Sequence, residues 1–145
     1  MKDDGTDFSH KLKLPAHMDS LHEFIQFMEQ SAGQLGIEDA LIQKLSLVAE
    51  ELLVNVVHYA YADTGEDGDI EMQCGMADRQ TFCMRISDKG KPFDPLSAAE
   101  PDLTRNIEDR PVGGLGVYLV RELADHLDYQ RKDGANVVLF CKKVW

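Results

Sequence analysis

Residues 46–63 read SLVAEELLVNVVHYAYAD, an apolar helix pattern with an asparagine at position 55, where leucine or alanine would form helix better. Two glutamates precede it, Glu50 by five residues and Glu51 by four. Residues four apart on a helix lie almost above one another, whereas residues five apart diverge by about 140°. Glu51 and Asn55 therefore share a face, and Glu50 is turned away from it. Leu45, Val48, Leu52, Val56 and Tyr59 form the neighbouring apolar stripe. A carboxylate one turn from a carboxamide offers two oxygen ligands pointing the same way, suited to Mg2+ or to a water held for proton transfer. The plainer alternative is a hydrogen-bonded amide beside a solvated glutamate.

Outward from this helix the chain alternates between strand and helix patterns. Asp39 is placed to cap the helix, which would run to about Ala60. The polar residues 1–7 are expected to form a flexible N-terminus, leaving 8–145 as a single domain. FSHKLKLP (8–15) alternates like an edge strand stopped by Pro15, and HMDSLHEFIQFMEQSAGQLG (17–36) suits a first helix with Leu21, Phe24, Ile25 and Met28 on one side. After a TGEDGD loop, IEMQCGM and QTFCMRISD read as an antiparallel hairpin. LGVYLVRELADHL (115–127) reads as a third helix, and DYQRKD with ANVVLFCKKV as a closing hairpin turned at Asp133 and Gly134. The expected architecture is α+β: a two-layer sandwich of a mostly antiparallel sheet with helices on one face.

A chain of 145 residues with 43% apolar and 28% charged residues can bury a core without metal or disulfide staples. Its 15 basic and 26 acidic residues give a net charge of −11, which argues against a nucleic-acid surface. No apolar run is long enough for a bilayer, and MKDDGTDFSH lacks the apolar segment of a signal peptide. Neither a nucleic-acid nor a membrane partner is expected, and a cytoplasmic location is. Cys74, Cys83 and Cys141 fall in strand patterns at spacings poor for zinc, and their odd number suits buried free thiols.

Two further stretches carry chemistry. Asp88 closes an apolar strand, and Gly90 follows where the chain must turn and permits a close approach or a positive φ. A carboxylate there can accept from an exocyclic amine such as that of adenine, or simply make a turn. In VGGLGVYLV, Gly113, Gly114 and Gly116 stand where a long loop meets the third helix. Glycines let backbone N–H groups face outward at a helix start, a ready phosphate site, although a tight turn needs them too. Neither G-x-G-x-x-G nor a Walker A motif is present. Between these stretches, residues 89–113 hold four of the five prolines. So long an aperiodic connection suits a mobile or ligand-binding loop. The three constellations around it describe a nucleotide site with a lid, in which Arg105 and Arg110 are cations able to approach phosphates.

With these motifs in this order, residues 10–143 resemble the GHKL ATPases, whose ATP-binding domain has the Bergerat fold, and within them the bacterial anti-sigma factor serine-protein kinases. ELLVN is similar to the family's N-box, which implies Asn55 as the Mg2+ ligand and Glu51 as the general base. SDKGKPFDP is similar to the box whose aspartate, here Asp88, contacts the adenine amino group, with Gly90 shaping the pocket. GGLGVYLV resembles the second glycine box and implies Gly113, Gly114 and Gly116 beside the phosphates, while GANVVLF resembles the final strand, with Asn136 near the pocket. The implied activity is ATP- and Mg2+-dependent phosphorylation of serine or threonine on a small anti-anti-sigma antagonist. A sigma factor and a second copy of the chain are the other implied partners. The alternative is an ATP-gated protein-binding module without kinase turnover. The chain departs from many relatives at Tyr59, where they carry histidine; His58, one position earlier, reads as structural or solvent-facing.

Overall fold

Strand and helix periodicities sort the chain into two layers. The computed structural model describes residues 6–61, 68–97 and 114–145. Along them run β1 (Asp7–Pro15), a 3-10 turn (Met18–Ser20), α1 (Leu21–Gln34), α2 (Asp39–Asn55), a π-helical turn (Val56–Ala60), β2 (Asp69–Met76), β3 (Thr81–Asp88), α3 (Gly114–Leu123), β4 (His126–Lys132) and β5 (Ala135–Lys143). The strands form one sheet in the order β1-β2-β3-β5-β4, and each neighbouring pair is antiparallel. The β4–β5 hairpin turns at Asp133 and Gly134, both with positive φ, as a two-residue turn requires.

Alternation on the strands sends one set of side chains to the helices. Ile70, Met72, Phe82, Met84, Ile86, Val138 and Phe140 meet Phe24 and Met28 of α1, Leu45, Val48 and Leu52 of α2, and Val120 of α3 in one core. Each fully buried side chain of this size contributes about 1.5–3 kcal/mol. The same alternation carries the polar ends of β3 and β5 to that face, where Asp88 and Asn136 are register partners.

Four details differ from the sequence reading. Asp39 is the first residue of α2, not its cap: Glu38 holds the N-cap position, with no side-chain capping bond. Tyr59 leaves the apolar stripe and is 37% exposed, because the helix passes into the π-turn after Asn55 and the wider turn resets its phase. The third helix stops at Leu123 instead of running to Leu127, since pairing with β5 has already begun: the Asp125 N–H donates to the Cys141 carbonyl (2.9 Å), and Lys142 Nζ donates to the Leu123 carbonyl (3.1 Å).

The cysteines are the fourth. Cys83 and Cys141 form a disulfide rather than remaining free thiols. They are register partners on adjacent strands, with Cα atoms 4.1 Å apart, on the sheet face away from the helices. A bulge between Asp7 and His10 turns Phe8 to that face, where it packs on the pair with Leu139 and Ala77. Spacing along the chain could not show this, because only strand register brings the two sulfurs together. Cys74 is free and buried, and burial pushes its thiol up to about 12.

Candidate functional site

One helix face and one pair of strand ends build the site. On α2, Asn55 is 3% exposed and its Nδ2 donates to Glu51 Oε1 over 3.1 Å. The amide is hydrogen-bonded, as the plainer alternative held, but to the glutamate on its own face. This orientation leaves the Asn55 carbonyl oxygen as its ligand atom. Glu51 is half-buried while Glu50 is exposed, the division that helical phase predicts. Burial raises the Glu51 carboxyl above its ordinary range; the Asn55 hydrogen bond partly opposes this and the Glu50 charge adds to it. A carboxylate so placed is a better proton acceptor than one on the surface.

The glycine stretch meets this pair. Gly114 is the first residue of α3 and Gly116 lies in its first turn. A Cβ on Gly116 would fall on the Glu51 carboxyl group, so the Glu51 side chain keeps its place against the start of α3 only with glycine there. The first N–H groups of a helix have no intrahelical partner and favour an anion. Gly113, Arg105 and Arg110 lie outside the described residues, as does most of the expected lid.

Asp88 marks the other end of the site. It is 4% exposed, and its Oδ1 accepts from the Gly90 N–H (2.9 Å) and Asn136 Nδ2 (3.0 Å). Burial raises its carboxyl above the ordinary range; the bonds from Asn136 and Gly90, and the Arg131 charge, pull it down. Gly90 is needed for close approach, not for a positive φ. A side chain there would strike the Ala60 carbonyl, which accepts from the Lys91 N–H (2.8 Å). The segment after β3 is thereby fastened to the π-turn that follows Asn55. Tyr59, the departure noted in the sequence, packs its ring on Phe93 (centroids 5.1 Å apart), whereas His58 is exposed.

The β4–β5 hairpin contributes two residues that sequence reasoning missed. The Tyr129 hydroxyl donates to Asn136 Oδ1 (2.6 Å), and Arg131 Nη1 donates to the Gly90 carbonyl (2.7 Å). A signal existed: a two-residue turn at 133–134 places Arg131 opposite Asn136, and the alternation puts Tyr129 on the same face. A cleft of 440 Å³ at the strand ends is lined by Lys13, Tyr61, Asp69, Glu71, Ser87, Lys89 and Asp88 itself. It contains none of the helix-borne groups.

Among the described residues no group of three or more His, Cys, Asp or Glu could hold a metal ion. A lone amide oxygen beside a carboxylate fits instead a Mg2+ arriving with nucleotide phosphates, which supply most of its ligands.

The sheet, the helix-borne amide and the glycine-led α3 agree with the family assignment: a sequence profile for the histidine kinase-like ATPase domain matches residues 14–142, and the chain belongs to that family. Its fold is the GHKL ATP-binding fold. Among its relatives, serine/threonine-protein kinase BtrW of Bordetella bronchiseptica is 36% identical over 92 residues, 63% of each chain. Serine-protein kinase RsbW of Bacillus thuringiensis is 24% identical over 133 residues, 89% of this chain and 81% of that protein. A crystal structure of the RsbU and RsbW domains of a Mycobacterium tuberculosis protein superposes with a TM-score of 0.64 at 12% identity, over 92% of this chain and 32% of that one. The match to the Bordetella relative thus spans less than two thirds of its length. Among the described residues no helix is long and apolar enough to cross a membrane.

Proposed function

We propose that the chain is an ATP-dependent serine/threonine-protein kinase of the anti-sigma type, which phosphorylates a small anti-anti-sigma antagonist. The Asn55–Glu51 pair, held against the start of α3 at Gly116, carries this reading. The kinase names of the relatives support it.

In this reading the Asp88 carboxylate accepts from the adenine amine, and the first N–H groups of α3 face the phosphates. Asn55 would supply one oxygen to Mg2+, which when bound would neutralise phosphate charge. Glu51 takes the proton from the partner's hydroxyl as that oxygen bonds to the γ-phosphorus, and the bond to the β-phosphate oxygen breaks to release ADP. Positioning and charge neutralisation supply most of the acceleration in such a transfer. We further assign a sigma factor as a second protein partner, a homodimer as the working state, and the cytoplasm, where ATP is made, as the location. The disulfide removes the cysteine-based reason for that location.

Incubation with labelled ATP and a candidate antagonist tests the activity. Label on a partner serine or threonine is expected, and nucleotide-dependent capture without label would mean a binding module instead. Glu51→Ala should bind Mg-ATP nearly as well as the parent and transfer no phosphate. A parallel loss of affinity and rate would make Glu51 a structural or metal-binding residue.

A further inference from the structure

One side chain at the base end of the site has its hydrogen-bonding capacity already filled. A primary amide offers two N–H donors and an oxygen with two lone pairs. Asn136, 2% exposed, commits all four within the protein. Its Nδ2 donates to Asp88 Oδ1 (3.0 Å) and to the Lys91 carbonyl (2.8 Å). Its Oδ1 accepts from the Tyr129 hydroxyl (2.6 Å) and the Phe93 N–H (3.1 Å). Burial holds the Tyr129 phenol above its usual range, with the Asp94 charge adding to this, so it stays a donor. One amide thus clamps the end of β3, the backbone at 91 and 93, and β4. Nothing is left over for a nucleobase.

Asp88 shows the complementary pattern. Both bonds from Gly90 and Asn136 reach the same oxygen, Oδ1. Rotation about the terminal bond of an aspartate is otherwise soft. Fixing one oxygen fixes where the other points.

We infer that Asn136, oriented by Tyr129, is a positioning residue for base selection: it does not touch the base but holds Asp88 so that Oδ2 meets the purine 6-position. A carboxylate oxygen fixed there accepts from the 6-amine of adenine and repels the 6-oxygen of guanine. If Asp88 can swing, that contrast fades. Arg131, opposite Asn136 in the hairpin, ties the same segment through the Gly90 carbonyl. The inference rests on the ATP reading given above.

The test is calorimetric binding of ATP, GTP and purine riboside triphosphate, which lacks the 6-amine, to the full chain. In Asn136→Ala, ATP should weaken about 10- to 100-fold, the scale of a hydrogen bond to a charged group. The purine riboside analogue should hardly change, so the preference for ATP over it and over GTP collapses. Tyr129→Phe removes one hydroxyl and should show the same selective loss at about 3- to 10-fold; it decides the matter if Asn136→Ala does not fold. In an Asp88→Ala background, Asn136→Ala should not change the ratio further. Equal losses for all three nucleotides, or an unchanged ratio, would overturn the assignment. A parent protein that binds no nucleotide would overturn the ATP reading itself.

Discussion

Gly116 and Glu51 touch so closely that no side chain fits between them: a Cβ on the glycine would occupy the space of the carboxyl group. In the proposed function the glycine stretch would therefore be as much a seat for Glu51 as a cradle for phosphates. Gly116→Ala should displace Glu51 and cut phosphotransfer about 100-fold, the cost of misplacing a reacting group by about 1 Å. Mg-ATP affinity should change far less. Single-turnover transfer and calorimetry check this, and a matching loss of affinity would mean that the glycine serves the phosphates alone.

The proposed function gives Asn55 two duties, which two readouts on one variant separate. Asn55→Ala removes the oxygen proposed to ligate Mg2+, so ATP affinities measured with and without Mg2+ should converge. It also removes the hydrogen bond that holds the Glu51 carboxyl down, which should raise that group further. Paired titrations with Mg2+ and EDTA read the first effect, and carboxyl chemical shifts against pH read the second.

In the proposed mechanism Glu51 would act as a base only when ionised. Because burial raises its carboxyl, the acid limb of the phosphotransfer rate should lie above the ordinary glutamate range and vanish from the small residual rate of Glu51→Gln. A rate–pH profile with saturating ATP checks this. A limb unchanged in Glu51→Gln would assign it to another group.

Asp88 sets function against stability. Its folded carboxyl is raised, so its contribution to stability is fully present below the unfolded value and is lost as pH rises through the folded one. Asp88→Asn keeps an oxygen for the Gly90 and Asn136 donors and avoids the buried charge. It should melt higher than the parent near pH 7, with the gap closing as pH falls from the raised folded value to the ordinary aspartate range. ATP binding should weaken in the same variant, because an amide in this orientation turns a donor toward the base amine. Thermal melts across pH, without nucleotide, separate the two effects.

The disulfide predicts a thiol count. Denatured, unreduced protein should titrate one thiol, Cys74, and reduced protein three. The bond spans 58 residues, so replacing Cys83 and Cys141 with serine should cost up to about 4 kcal/mol. It lies on the face away from the helices, so ATP affinity should persist. Thiol titration and denaturant unfolding test both statements.

The sequence alone determined the helix face of Glu51 and Asn55, the two hairpins and the order of the glycine-containing stretches. These depend on spacing along one element, where a fixed period converts residue number into direction. Helical phase also separated Glu50 from Glu51. Tertiary structure decided what depends on contact between elements: the π-turn that swings Tyr59 out to Phe93, the Gly116–Glu51 contact, the Cys83–Cys141 bond and the Asn136 clamp. Each joins residues whose sequence separation carries no periodic signal. Only strand register and helix packing bring Asn136, 48 residues beyond Asp88, to within hydrogen-bonding distance of it.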